Sequence, residues 1–275
     1  METLSGIGKK SRHRLKAAIE ASEGLLTPKF VSEVLSLSRF EAARLLSRCN
    51  KAGWLKRVKR GVYLPVQLET NPNEVAIEDS WLVAEKIFSP GYIGGFSAIK
   101  YWDFSEQIFE NTVYFTTKQT PSKTTVYGGI KFKLKTIRPY KIFGTKTIWR
   151  NSVKIKISDP SKTIIDLLDD PVLGGGMRSI KDFFIEYWES NYKNIDLLID
   201  YAEKTKNKTV FKRLGFLLET GDFLDSETIN QLRYKISSGY SKFDTTMKNI
   251  HVIRKWNLKI PSSWKKEYDL KRRNS

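Results

Sequence analysis

The side chains able to do chemistry fall into three groups, and the first is sparse. One cysteine, Cys49, and two histidines, His13 and His251, lie far apart in the 275 residues. No HExxH and no CxxC occurs, so a His/Cys zinc site or a Ser-His-Asp hydrolase has no residues to build it, and a lone cysteine forms no intrachain disulfide. The second group is acidic: Asp159, Asp166, Asp169 and Asp170 in the segment Ser158–Pro171. Asp166 and Asp170 are i, i+4 neighbours on one helix face, which invites a metal or paired-carboxylate hypothesis. Neither a histidine nor an ordered Asp-Gly ligand loop accompanies them. A nuclease of the D…ExK kind needs acids converging from several elements, whereas Asp159, Lys162 and Asp166 share one helix and its cap. Asp159 is accounted for by the positive end of the helix dipole. The reading is of a non-enzyme, with no catalytic residue, no metal site and no cofactor.

The third group is basic. Lys and Arg number 48 against 30 Asp and Glu, a net charge of +18. Residues 1–68 hold 14 Lys or Arg against 5 Glu, so charge density there is about three times that of the rest. Such an excess favours a polyanionic partner. Within it, Ser38, Arg39, Arg44, Arg48 and Lys51 fall on or beside one face of a helix, and Arg57, Lys59 and Arg60 cluster just after it.

These residues need a frame, and the sequence supplies one. SRHRLKAAIEAS (11–22) has helical spacing at Leu15, Ala18 and Ile19. Thr27-Pro28 opens a second helix, Thr27 as N-cap and Pro28 at the first helical position, with Phe30, Val31, Val34 and Leu35 expected inside. After a turn at Ser36-Leu37, Ser38 and Glu41 form a capping box for a third helix, whose inner stripe is Ala42, Leu45, Leu46 and Cys49. Strands at Trp54–Val58 and Val62–Val66 flank Lys59-Arg60-Gly61, where a tight turn favours glycine. Three helices and a hairpin predict a winged helix-turn-helix in which the third helix enters a major groove and the wing reaches phosphates. Double-stranded DNA is the expected partner of residues 1–68, and the DNA-binding set is Ser38, Arg39, Arg44, Arg48, Lys51, Arg57, Lys59 and Arg60.

A linker is expected at Leu68–Pro72, followed by a second domain over 73–275. An amphipathic helix spans 74–88. The glycines of SPGYIGGFSAIKYWDF (89–104) read as close packing before a short helix at Ser97–Trp102. Strands follow at Thr112–Thr117, Thr125–Tyr127, Ile130–Ile137, Thr147–Trp149 and Val153–Ile157, a sheet over about 110–160. Lysines alternate outward at Lys131, Lys133, Lys135, Lys154 and Lys156. Ser158 or Asp159 caps a helix that Pro171 stops. Helices at 179–190, 194–205, 207–220 and 226–237 form a bundle over about 178–238. His251–Ile260 reads as a strand and SSWKKEYDLKRRNS as a frayed tail. The fold class is α+β. No run of 18 apolar residues spans a membrane, the N-terminus lacks the apolar core of a signal peptide, and a cytoplasmic protein is expected.

Four segments together resemble the AbiE-system antitoxin family of type IV toxin–antitoxin pairs: Lys59–Tyr63, Gly91–Ala98, Ser158–Leu167 and Arg213–Glu219. Their order spans about residues 10–260. The resemblance implies a winged-helix transcriptional autorepressor that binds inverted repeats in its own promoter. It also implies that the larger C-terminal domain opposes a nucleotidyltransferase-like toxin without a stable complex, in abortive infection of phage. On this resemblance Arg39, Arg44 and Arg48 contact DNA from the helix, and Arg57, Lys59 and Arg60 from the wing. The alternative is a protein- or RNA-binding antitoxin or regulator in which the winged helix is secondary.

Overall fold

The computed structural model describes residues 6–22, 24–66, 72–120, 122–127, 130–150 and 153–274. The fold is α+β: a helical N-terminal region closed by a two-stranded ribbon precedes a larger mixed α/β region. Two compact units divide the chain. One takes Met1–Ile93, Glu110–Ile137 and Thr147–Lys156, the other Gly94–Phe109, Arg138–Lys146 and Ile157–Ser275. The first thus groups the N-terminal region with most of the sheet. Of the expected linker, 68–71 lies outside the described residues and Pro72 opens a helix.

The chain begins with α1 (Lys9–Glu20), α2 (Pro28–Leu35) and α3 (Arg39–Lys51), then β1 (Leu55–Lys59) and β2 (Val62–Pro65), an antiparallel pair. Leu15, Ala18, Val31, Ala42, Leu45, Leu46, Cys49, Leu55 and Tyr63 bury themselves together. Val34, expected inside, is exposed. The buried arc of α2 centres between Val31 and half-buried Leu35, which leaves Val34 at its margin. Leu26 was not read as a strand, yet its backbone exchanges two hydrogen bonds with Tyr63 (2.8 and 2.9 Å) and ties the ribbon to the α1–α2 connection.

Next come α4 (Pro72–Phe88), β3 (Gly91–Ile93), α5 (Phe96–Tyr101), β4 (Thr112–Thr116), β5 (Thr124–Tyr127), β6 (Ile130–Thr136), β7 (Thr145–Arg150) and β8 (Val153–Ser158). The six strands order as β5-β6-β4-β3-β8-β7, with β4 and β6 parallel. Gly91–Ile93, in the glycine-containing stretch expected to pack closely, forms a buried inner strand of this sheet, and a Cβ added at Gly91 would come within 1.9 Å of Phe115 O. The strand is too short for an alternating pattern, and buried on both faces it shows no polar side. Helix α4 packs on the sheet through Phe88, whose ring lies 5.4 Å from that of Phe132, and through the hydrogen bond of Tyr114 to Glu85 (2.8 Å).

The remainder is helical: α6 (Pro160–Asp169), α7 (Met177–Glu189), α8 (Ile195–Lys204), α9 (Lys208–Gly221) and α10 (Ser226–Arg233). It ends with β9 (Ser241–Lys242), β10 (His251–Ile253), β11 (Leu258–Ile260) and α11 (Ser262–Asn274). The single strand expected over 251–260 is two short antiparallel strands around a 3-10 turn that buries Trp256. The expected frayed tail is helix α11 as far as Asn274, because Trp264 and Tyr268, one turn apart, pack against Phe216 and are both buried.

Helix α6 is buried along its length from Pro160 to Leu168. Its first turn is capped by Asp159, whose Oδ1 accepts from Lys162 N (2.8 Å) while Oδ2 accepts from Tyr201 OH (2.7 Å). Its last turn is met by Arg213: Nη1 donates to Leu168 O at 2.6 Å, while Nε and Nη2 donate to carbonyls of the β9 segment, Phe243 O at 2.9 Å and Lys242 O at 2.7 Å. Burial pushes the Arg213 guanidinium down to about 10, opposed by Asp169, Asp170 and Asp244, so it stays charged at neutral pH. Replacement by an apolar isostere removes the guanidinium's hydrogen bonds to three carbonyls. Hydrogen bonds to a charged group contribute about 1.5–3 kcal/mol each, so Arg213→Met is expected to cost about 3 kcal/mol or more. Urea unfolding should show a lowered midpoint with the slope unchanged. A wild-type midpoint would refute the role given to Arg213.

Candidate nucleic-acid interface

The interface is built on one helix whose start is locked by its own side chains. Ser38 Oγ accepts from Glu41 N (3.2 Å), and Glu41 Oε2 accepts from both Ser38 N (3.0 Å) and Ser38 Oγ (2.8 Å). This is the capping box that the sequence predicts. The turn before it is held just as locally. Ser36 adopts a left-handed conformation (φ 49°), Leu37 N donates to Ser32 O (3.1 Å), and Ser32 Oγ donates back to Leu37 O (2.6 Å). The orientation of α3 relative to α2 therefore rests on short-range bonds.

Of the eight expected contact residues, Ser38, Arg39, Arg44, Arg48, Lys51, Arg57 and Arg60 are exposed. Lys59 has its backbone in β1, but its side chain lies outside the described residues. Ser38 differs from the rest because its hydroxyl is already engaged in the cap. Among the described residues, no carboxylate pairs with the arginines at 39, 44, 48, 57 and 60 or with Lys51. Lys16, by contrast, meets Glu20 one turn away at 3.7 Å. The face thus carries positive charge that no ion pair among the described residues neutralises.

Helix phase explains the arrangement. At about 100° per residue, Ala42, Leu45, Leu46 and Cys49 define one arc, and positions 40, 44 and 51 fall opposite to it. Phe40 therefore points away from the core and is 70 % exposed, with the Arg44 guanidinium 5.6 Å from its ring centroid. It was missed as a functional candidate, although its phase against the apolar stripe is legible in the sequence. Cys49 lies inside, and burial pushes its thiol up, away from reactivity.

The ribbon presents a second basic group. A bulge between Arg57 and Lys59 shifts the register, so Val58 turns inward while Lys56 and Arg57 both stay exposed. Lys56, absent from the expected set, is exposed beside Arg57. Gly61 takes φ 74° and lets the two strands meet in a tight turn.

The acids set aside above are placed elsewhere. Asp159 is the α6 cap, Asp166 pairs with buried Lys162, and Asp169 accepts from Lys141 Nζ (2.7 Å) and Asn207 Nδ2 (2.8 Å). Among the described residues, no group of three or more His, Cys, Asp or Glu side chains could hold a metal ion. No helix of the described residues is long and apolar enough to cross a membrane.

No protein-family model matches the chain, and no curated protein matches it. Among solved structures the chain is similar to the RV2827C protein from Mycobacterium tuberculosis, with a TM-score of 0.62 and 11 % identity over 94 % of both chains. The likeness extends over nearly the whole length and shows a shared fold.

The capping box has a titration signature. The hydrogen bonds from the Ser38 hydroxyl and then the Ser38 amide hold the Glu41 carboxyl below its ordinary value of 4.5, helped by Arg14. A depressed folded-state value stabilises the helix above pH 4.5 and loses that contribution as pH falls through the folded value. An NMR titration of Glu41 should thus give a midpoint below that of an unstructured glutamate. Ser38→Ala should raise it toward the ordinary value. Identical midpoints in both proteins would remove the capping box as the cause.

Proposed function

We propose that this chain is a sequence-specific DNA-binding transcriptional autorepressor and antitoxin, a cytoplasmic member of an AbiE-like type IV pair. The observation that carries the DNA-binding part is the uncompensated arginine face of α3, rigidly capped and followed by a basic ribbon. In this reading α2 and α3 form a helix-turn-helix, α3 enters the major groove, and β1–β2 is the wing. Arg44 and Arg48 present planar forks suited to guanine O6 and N7, and Phe40 offers apolar contact to a thymine methyl. Arg57, Lys59 and Arg60 hold phosphates, while Arg39 and Lys51 hold them at the two ends of the helix. Ser38 contributes by fixing the helix start.

The antitoxin part rests on the four-segment resemblance. Its expected counterpart is a nucleotidyltransferase-like toxin, opposed without a stable complex, and the action proposed for the chain is binding without catalysis. A three- or four-residue connection between the paired helices is the geometry of a helix-turn-helix, and Ser36–Ser38 matches it.

The test is a titration of the full chain against duplex DNA from its own upstream region and against a scrambled duplex, across salt concentrations. The upstream duplex should bind more tightly, with log K falling by about 0.9 for each phosphate neutralised. Arg44→Ala should cost about 1–3 kcal/mol and relax preference at one base position. Arg60→Ala should weaken both duplexes alike and flatten the salt slope by about one phosphate. Equal affinity for the two duplexes at every salt concentration would sink specific recognition.

A further inference from the structure

A second basic and aromatic constellation lies far from α3 in the chain. A groove of about 710 Å³ is lined by Asn230, Arg233, Tyr234, Ser238, Arg254 and Asn257, among others. Arg233 is the last residue of α10 and Tyr234 follows it, while Arg254 opens the 3-10 turn between β10 and β11. Tyr234 is 91 % exposed, the most exposed large aromatic among the described residues. Among the described residues its ring makes no aromatic or cation–π contact, so the core does not require it.

The charges around it divide sharply. The neighbouring lysines are neutralised, Lys235 by Glu203 and Lys255 by Glu219. The two arginines are exposed, and no described carboxylate pairs with either. No acidic side chain is among the groove's described lining. That excludes a cation or an amine as the natural occupant. The one aliphatic lining residue is Ile236, too little for an apolar ligand. A bare anion would use the guanidinium forks and leave the ring idle. A ligand that uses both carries a flat π-face and a phosphate, and the amide groups of Asn230 and Asn257 can meet base edges. Asn257 already donates from Nδ2 to Ser237 O (3.1 Å), which leaves its carbonyl oxygen as an acceptor.

We propose that this groove binds a single-stranded nucleic-acid segment, with Tyr234 stacking a base and Arg233 and Arg254 gripping phosphates. Aromatic stacking beside a positively charged groove is the way strands are held without reading a duplex. The site is independent of the interface proposed on α3, and it stands or falls separately.

The experiment uses the full chain and fluorescein-labelled uridine and thymidine octamers, read by anisotropy, beside the upstream duplex. All three side chains are exposed, so the variants keep the fold, which circular dichroism checks. Tyr234→Ala should weaken octamer binding about tenfold, within the range known for base–aromatic stacking. The double variant Arg233→Ala/Arg254→Ala should weaken it further and reduce the salt slope by about 1.4, at about 0.7 per single-strand phosphate. Duplex affinity should not change in either variant. Tighter binding of the uridine octamer assigns RNA as the source, and tighter binding of the thymidine octamer assigns DNA. Wild-type octamer affinity in both variants overturns the proposal. So does loss in the arginine variant alone, which would mark a ligand that is merely anionic, and so does loss of duplex binding without loss of octamer binding.

Discussion

The second unit depends on one constraint: helix α6 is buried all round, so the polar groups at its ends cannot turn to water. Each end must be met by a side chain, held in turn by or drawn from another element. At the start, Asp159 accepts a backbone amide and is itself gripped by Tyr201 of α8. At the finish, Arg213 of α9 spreads its donors over carbonyls of α6 and of the β9 segment. In the middle, Lys162 and Asp166 pair one turn apart, both almost inaccessible. A buried charge pair gives little net stability against its desolvation, but losing one partner is costly. Asp244 extends the arrangement: it supports Arg213 electrostatically and accepts from Met177 N (2.8 Å) at the start of α7. Helices far apart in sequence are thereby fixed by charged hydrogen bonds at their termini as well as by apolar packing.

The same residue types do opposite work at α3. Arg213 is buried and committed to carbonyl partners, whereas Arg44 and Arg48 are exposed and paired with no described carboxylate. Burial separates the two roles more sharply than sequence can. A charge committed to backbone partners cannot be moved to a ligand without unfolding what it holds. A charge held only by its own helix costs little to reassign. The capping box therefore matters to the interface although it need touch no ligand: it fixes the phase and origin of the helix that carries the arginines.

Much of this was legible beforehand, for identifiable reasons. The caps Thr27 and Ser38 announce themselves through local chemistry, and each accepts the backbone amide expected of it, while of the two candidates Ser158 and Asp159 the cap of α6 is Asp159. The alternation of β6 and the apolar stripe of α3 follow from simple periodicities. Non-local features were not legible. Strand β3 is too short to show a period, and the Leu26–Tyr63 bridge joins residues 37 apart in number. Helix α11 looked like a charged tail because its apolar side is only two aromatics, Trp264 and Tyr268, amid Lys and Arg. The bulge at Val58, which exposes Lys56 together with Arg57, leaves no sequence mark. The register of β1 therefore could not be read, and with it went one of the basic residues.

The segments that carry the resemblance coincide with places where packing leaves no latitude. Ser158–Leu167 and Arg213–Glu219 are the two partners of the α6 anchorage. Gly215 stands where an added Cβ would come within 2.1 Å of the Trp256 ring, and Glu219 accepts from that indole at 2.5 Å. Gly91–Ile93 is an inner strand, and Gly61 turns the ribbon. Such residues are demanded by the scaffold, and any protein using this scaffold must supply something equivalent, whatever it binds. The whole-length structural likeness at 11 % identity likewise shows a shared fold. The recognition proposed above is assigned to places where the fold asks for nothing. Phe40 and Arg44 on α3 and Tyr234 with its two arginines meet that condition, because all of them are exposed outside the core.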